Sequence, residues 1–381
     1  MAAGNRSGFL RVRILHLIGE SVDIGGVLTL IRNLQEALRD SGAQHVVWVH
    51  RDYVESRQPA LTYVYSTQIC ADSPSYAKIA ACAVVGFFKL RDILKRDQFD
   101  VIHAHSRGTF LVALGLAVFL RKPVLYTNHG YSRQLWMYRF ASRRRHFYTT
   151  LLTPSMAKYY GIEVNPPKVR IISSCCANEF FDQALVVSGR WRQEQRPVRF
   201  IGIGNVVRWK NWRLLLEAIA ALANPERAQV EFVHWGPIPP DADSQLYQRE
   251  LNEFIESRRL QKQARFGGRT PSVVERLREA DWFVMPSLNE PCSAALIEAM
   301  ALGLPALVSA SGGNPTIVSA GRTGLLFEPN SVDNLAAKLR QIIDPGFQAF
   351  DAQEIRDSVR SRSARAIAPA FLQTYAELAE R

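Results

Sequence analysis

Cysteine, acidic side chains and long apolar runs are scarce in this chain of 381 residues. Its five cysteines (Cys70, Cys82, Cys175, Cys176 and Cys292) include no Cys-x-x-Cys spacing. That excludes a dense disulfide framework and the usual thiolate zinc site, and the thiols are expected to be reduced and mostly buried, as in a cytosolic protein. No apolar run reaches the roughly 18 residues that a membrane-spanning helix needs. The longest, Phe110 to Leu120, is expected to be a core helix. The first residues, MAAGNRSG, lack a secretory leader pattern. There are no internal repeats and no low-complexity tracts. Asp and Glu number 35 against 47 Lys and Arg, a net charge of +12. Such a balance suits an anionic membrane surface or a nucleic acid. No helix-turn-helix, zinc or RNA-binding signature accompanies it, so a nucleic-acid partner is not expected. No metal-ligand set stands out either. Asp241-Ala-Asp243 follows two prolines and opens a helical stretch, so it is expected to cap a helix.

What the chain has in abundance is alternation of strand and helix signals, which implies parallel sheets wound by helices. Its length suggests two domains. In the first half, strands are expected at 10–18, 45–50, 61–65, 99–105, 123–128, 149–153 and 168–172, with a helix from Val27 to about Asp40 after the loop holding Gly25-Gly26. A polar stretch, residues 188–197, reads as an interdomain linker. A second series follows, with strands at 199–204, 229–235, 281–285 and 306–309 and a helix at 209–222. Amphipathic helices at 331–343 and 364–380 close the chain. The expected division is 1–188, 189–360 and a final helix, 361–381.

The most informative stretch is PSLNEPCSAALIEAMALGLP, from Pro286 to Pro305. Good helix formers begin after Pro291-Cys292-Ser293, and Gly303 and Pro305 end the helix. One carboxylate, Glu290, therefore precedes the helix, and a second, Glu298, lies inside it. Eight helical positions span at most about 12 Å, close to the length of a nucleotide-diphosphate sugar from its sugar hydroxyls to its ribose. Between the two carboxylates lie the first amides of the helix, including those near Ser293 and Ala294, a natural seat for phosphate. Glu298 sits in an almost continuous apolar run. A buried carboxylate there needs a partner, and a ligand hydroxyl is one candidate.

These residues resemble the donor site of the retaining GT-B glycosyltransferases of family 4, the group 1 sugar transferases. The resemblance is carried by Pro286-Ser287, by Glu290 and Glu298 at the family spacing, by Glu298-Ala-Met-Ala301 with Gly303 and Pro305, by Ser311-Gly-Gly-Asn314, and by Gly321 to Pro329. In the first half it extends to Gly25-Gly26, Phe99 to Ser106 and Pro123 to Gly130. It implies a GT-B fold, two Rossmann-like parallel-sheet domains facing across a cleft, with the final helix crossing back to the first domain. It implies that Glu290 positions sugar hydroxyls, that Glu298 holds the ribose diol, and that Cys292, Ser293 and Ala294 line the donor. Gly25 and Gly26 would face the diphosphate from the first domain, and Gly268 and Arg269 would lie near the base. Lys210 matches the family's lysine, whereas Asn205 stands at its usual arginine. Arg208 is expected to serve in place of that arginine. His129 matches a position near the reacting sugar, as a hydrogen-bonding or polarising group. Ser173-Ser-Cys-Cys176 departs from the usual Pro-Asn-Gly, with Cys175 where glycine is common.

The implied donor is a nucleotide-diphosphate sugar, with UDP favoured over GDP, and no metal or other cofactor is required. The implied reaction is retaining hexosyl or N-acetylhexosaminyl transfer. The acceptor side is expected to include His105, at an exposed strand end, and Arg139, Arg143, Arg144 and Arg145 in the basic, aromatic stretch 131–147. With the similar stretch 86–96, this suggests a peripheral enzyme on the inner face of a membrane, acting on a lipid-linked or envelope acceptor. A small soluble acceptor, or an inactive sugar-nucleotide-binding relative, stays open.

Overall fold

The computed structural model describes residues 11–381 apart from 20, 21, 24, 72, 74 and 188. The leader expectation for the first residues, the start of the first strand and Ser188 therefore lie outside the described residues. The chain divides into two compact units, 1–174 with 364–381, and 175–363. The first unit thus ends earlier than the expected 188, and the returning C-terminal segment starts at Ala364.

The first unit is built on seven strands: β1 (Arg13–Leu17), β2 (Gln44–His50), β3 (Thr62–Ser66), β4 (Val101–Ala104), β5 (Val124–Asn128), β6 (Phe147–Leu151) and β7 (Val169–Ile171). They form one sheet in the order β3-β2-β1-β4-β5-β6-β7, and every pairing is parallel. Every residue of β4, β5 and β6 is buried, as expected where helices cover both faces of a parallel sheet. The helix Ala364–Ala379 packs onto this unit through Phe371 and Tyr375, both fully buried. Its Glu377 pairs with Arg170 of β7.

The second unit carries six strands: β8 (Val198–Ile203), β9 (Val230–Trp235), β10 (Ala264–Phe266), β11 (Trp282–Met285), β12 (Ala306–Ser309) and β13 (Gly324–Phe327). Their order is β10-β9-β8-β11-β12-β13, again all parallel. Trp212, Phe200, Phe232 and Trp282 centre its core, each worth about 1.5–3 kcal/mol of burial. β10 and β13 were not anticipated. The expected linker is instead part of this unit. Arg190–Gln193 is a short helix, Trp191 is buried in the core, and Arg190 and Arg196 both clamp the buried Asp281. A polar composition concealed one anchoring tryptophan.

In both sheets the strand order reverses beside the first strand of the unit, between β1 and β4 and between β8 and β11. In open parallel sheets, ligands bind beyond the carboxyl ends of the strands at such a reversal. The Gly25-Gly26 loop follows β1, and Glu290 follows β11, strands that flank these two points.

Candidate functional sites

In the second unit, the chain leaves β8 through Gly204 (φ 145°), and Gly236 (φ 153°) follows β9. A side chain on Gly236 would collide with the carbonyl of Gly204 at 1.8 Å, so the two loops can stack only with glycine at 236. Gly268 continues the stack by accepting from the Gly236 amide at 2.7 Å. A single turn, Arg208–Lys210, then carries the Lys210 side chain back beside Gly204, where a Cβ would lie 3.7 Å from the lysine amine. The loop after β11 is tied to this turn by the Leu288 amide, which donates to the Trp209 carbonyl at 2.9 Å. That tie brings Glu290 against Lys210. The Lys210 Nζ donates to Glu290 Oε2 at 2.6 Å, with the residues only 8% and 7% exposed.

Glu290 is held from behind. Its carbonyl accepts from the Gly313 amide at 2.7 Å, and Gly312 (φ 59°) packs so closely that a Cβ would lie 2.3 Å from that carbonyl. The helix Ala294–Ala301 begins four residues after Glu290, with Ser293 as its N-cap. The Ser293 hydroxyl takes the Leu296 amide, and its carbonyl takes that of Ile297 at 3.2 Å. Ala294 and Ala295 open the helix ahead of those bonds. Glu298 is buried on it. Burial, and next the nearby Glu298 carboxylate, push the Cys176 thiol up. Cys292 is buried within sulfur hydrogen-bond reach of Arg362 Nη1, at 3.8 Å. The structure thus groups Lys210, Glu290, Ser293 and Ala294 around one loop and one helix start.

Arg208 is not brought to that group. Its guanidinium forks onto Glu250 at 2.7 and 2.8 Å and onto Asp243 at 2.8 Å, in an exposed network. The expectation that Arg208 stands in for the missing arginine is therefore not met in this conformation. Its charge is committed to two carboxylates on the helix Ala242–Ser257, which Asp241 caps as expected. Asn205 contributes its carbonyl to the Trp212 indole at 3.2 Å. Arg269 is exposed beside the Gly268 turn. Among the described residues, the non-glycine positions with positive φ are Arg121, Gln195, Asn211, Arg259 and Asn330. Cys175 therefore needs no left-handed backbone, and the turn forms without the family glycine.

In the first unit, Gly25 (φ 90°) caps the helix Gly26–Ala37, and a Cβ at either Gly25 or Gly26 would meet no described atom within 4 Å. The loop is open where a ligand would approach. Sequence reasoning missed what anchors it. The buried Asp23 carboxylate accepts from Arg32, Arg57 and the amides of Ser56 and Arg57. Nothing in the local sequence marks that long-range cluster.

The histidines form the other unforeseen feature. His105 was expected at an exposed strand end, but it is 1% exposed. His16, His103 and His129 surround it, with ring centroids at 5.2, 3.8 and 5.3 Å. Burial lowers His129 and His45 to about 4 and holds His16, His103 and His105 well below the ordinary value, so all five rings are neutral near pH 7. On the outside of the unit, Arg139 and Arg143 line a cavity of about 490 Å³ together with Lys168. Arg144, over the Phe140 ring at 3.7 Å, and Arg145 are exposed beside Trp136, itself 68% exposed. Val84, Phe88 and Phe119 add a second exposed apolar group on the helices Tyr76–Arg96 and Arg107–Phe119.

Comparison with known proteins agrees with this architecture. Residues 188–356 match the family "Glycosyl transferases group 1", and residues 24–164 match "Glycosyltransferase Family 4". A 2-deoxystreptamine N-acetyl-D-glucosaminyltransferase of Niallia circulans is 23% identical over 73% of this chain and 74% of its own. An Escherichia coli UDP-Gal:alpha-D-GlcNAc-diphosphoundecaprenol alpha-1,3-galactosyltransferase is 26% identical over 69% and 70%. Anabaena HepE, solved in complex with UDP, superposes with a TM-score of 0.72 over 96% of this chain and 100% of its own, at 18% identity. The two-sheet fold is thus shared with a solved nucleotide-bound protein.

Proposed function

We propose, for a chain that belongs to the family 4 (group 1) glycosyltransferases, a retaining transfer from a nucleotide-diphosphate sugar to a hydroxyl of a lipid-linked or cell-envelope acceptor. The sugar is a hexose or N-acetylhexosamine, and UDP is favoured over GDP as the carrier. The observation that carries this reading is the buried Lys210–Glu290 pair at the strand reversal of the second sheet, beside the start of the helix Ala294–Ala301. A buried cation and helix amides suit a diphosphate. The remaining oxygen of Glu290 suits sugar hydroxyls, and Glu298 suits a ribose diol. UDP bound to a protein of the same fold, and a relative acting on a diphosphoundecaprenol-linked sugar, support the choice of carrier and acceptor.

In the reaction, the acceptor oxygen bonds to the anomeric carbon on the face the nucleotide leaves. The bond from that carbon to the phosphate oxygen breaks, the diphosphate keeps the electron pair, and it takes the acceptor's proton. Negative charge grows on the diphosphate as this happens. In this reading Lys210 and the amides of Ala294 and Ala295 stabilise that charge. The reading needs no resident metal ion.

The test is a panel of UDP, GDP, ADP and their sugars in thermal denaturation, with and without added divalent metal. A UDP ligand at about 100 times its Kd should stabilise the protein by about 2.7 kcal/mol. Glu298→Gln should weaken nucleotide binding roughly tenfold, the loss of one charged hydrogen-bond acceptor, with turnover at saturation little changed. Glu290→Ala should lower turnover far more than it weakens nucleotide binding. Wild-type kinetics in both variants, or no shift with any nucleotide, would remove the assignment.

Membrane recruitment is read from the first unit, where Trp136, Phe140, Phe88 and Phe119 stand exposed among arginines and lysines. Aromatic groups beside cations suit an anionic lipid surface. No helix among the described residues is long and apolar enough to cross a membrane. Cosedimentation with phosphatidylglycerol vesicles should be strong at low salt and weak in the Trp136→Ser/Phe119→Ser variant. Absence of binding at low salt would favour a small soluble acceptor.

A further inference from the structure

The parallel pairing of β2, β1, β4 and β5 sets their histidines in steps up one face of the first sheet. Ile14 of β1 is in register with His45, and His16 is in register with His103. His105 and His129 follow just beyond β4 and β5, at the carboxyl edge of the sheet. The side chains join into a continuous chain. His45 Nδ1 lies 2.9 Å from His16 Nε2, His16 Nδ1 lies 2.9 Å from His105 Nε2, and His105 Nδ1 lies 3.1 Å from His129 Nε2. His103 stands beside the chain, with Tyr375 on Nδ1 at 2.8 Å and Thr127 on Nε2 at 2.6 Å.

A neutral imidazole has one N–H and one lone pair, so each ring in such a chain donates once and accepts once. Three consecutive bonds among four neutral rings then have only two consistent arrangements. Either every ring carries its proton on Nδ1, and each donates outward toward His129, or every ring carries it on Nε2, and each donates inward toward His45. The arrangements differ at the ends. At the inner end, His45 Nε2 is buried with no hydrogen-bond partner among the described residues. The inward arrangement would strand an N–H there, whereas the outward one leaves only a lone pair. Stranded buried donors are the rarer case in proteins. The outward arrangement also decides the other end. His129 accepts at Nε2, so its proton sits on Nδ1, on a partly exposed ring at the sheet edge where ligands of this fold class bind.

We propose that His45, His16 and His105 form a tautomer lock that fixes His129 as the Nδ1–H form and presents a single N–H donor to an acceptor oxygen of the bound substrate. His45, His16 and His105 are positioning residues, and none of them touches the ligand. Locked in this way, His129 donates a hydrogen bond and does not take a proton at Nδ1, because accepting there would require the whole chain to reverse. That deepens the reading of the preceding section, on which the substrate half of the proposal rests. It leaves the acceptor's proton to the departing diphosphate.

The lock itself is tested without substrate. Nitrogen NMR of protein labelled with ¹⁵N-histidine at neutral pH should show the four rings as neutral Nδ1–H tautomers. His45→Leu only moves the unpartnered inner end to His16 Nε2 and should keep His129 as the Nδ1–H form, whereas His45→Asp, whose carboxylate only accepts, should reverse the chain and turn His129 to the Nε2–H form. Sugar transfer should fall at least about tenfold in His45→Asp, as expected when a histidine adopts the wrong tautomer. It should fall far less in His45→Leu, with nucleotide affinity equal in all three proteins. Wild-type rings in the Nε2–H form, or charged, would overturn the proposal whatever the variants do. So would zinc bound stoichiometrically in the purified protein and lost in His103→Phe. The ligand atoms of His16, His103 and His105 lie within 4.8 Å of one another, and that result would make the cluster a metal site. A correct tautomer pattern with no transfer to any acceptor would keep the lock and reject the assigned reaction.

Discussion

Lowering the pH from about 7 to about 5 should cost this protein several kcal/mol of stability, well before its carboxylates protonate. The cause is the set of histidines that burial keeps neutral. His45 and His129 are lowered to about 4 and His234 to about 3, while His16, His103 and His105 are held well below the ordinary 6.5. In the unfolded chain each ring binds a proton below about 6.5, but in the folded chain it does not. The unfolded state therefore holds more protons throughout that window, and stability rises with pH across it. The contribution is complete above about 6.5 and is lost as pH falls toward about 4. At about pH 5, each ring that stays neutral costs about 2 kcal/mol. Three such rings, about 6 kcal/mol together, reach the lower end of the whole stability of a typical domain, about 5–15 kcal/mol. Asp23 acts in a lower window. Burial alone would raise its carboxyl, but the hydrogen bonds of Arg57 and Arg32 outweigh burial and hold it below 3.8. Urea unfolding at several pH values between 7.5 and 5 checks the prediction. A midpoint that stays constant over that range would mean that the rings are charged or open to water in the folded state.

The strand–helix alternation was legible because each strand of a parallel sheet is a short apolar run. β4, β5, β11 and β12 could be read this way within a few residues. β10 and β13 escaped because they are only Ala264–Phe266 and Gly324–Phe327, too short for any period to appear. The linker reading failed on Trp191, whose burial depends on packing that a polar window does not show. In the candidate site, the placement of Glu290 before one helix and of Glu298 within it was legible because it is a local relation. The partnership of Lys210 with Glu290 joins two loops far apart in sequence and depends on the adjacency of β8 and β11. The histidine chain has the same origin. His103 and His105 could be seen to share a strand face, but that His16 and His45 join them follows only from the order β2-β1-β4-β5. Arg208 shows the converse. Spacing placed it near the lysine, but Asp243 and Glu250, on another helix, claim its charge.

Removing Lys210 should have the largest effect on catalysis and a separable effect on stability. Its amine is the cation that meets Glu290 in a nearly closed environment, each side chain being 10% exposed. Lys210→Met should lower kcat by about 10²–10³, the range found when one charge-stabilising donor is lost from a transition state. It also leaves Glu290 buried beside an apolar chain, and breaking a buried pair in this way costs about 3–5 kcal/mol. A loss of activity alone would therefore be ambiguous, because a loosened loop could cause it. The double variant Lys210→Met/Glu290→Gln resolves the ambiguity. With both charges gone, no stranded carboxylate remains, and stability should return to within about 1 kcal/mol of wild type, since a buried pair adds little over a neutral isostere. On the proposed reading activity should not return, because a diphosphate would still lack its cation and sugar hydroxyls would have lost their carboxylate. Measured kcat and urea midpoints for the two single variants and the double variant form a complete cycle. If stability and turnover recover together in the double variant, Lys210 only neutralises Glu290, and the charge on the leaving diphosphate is stabilised by other groups.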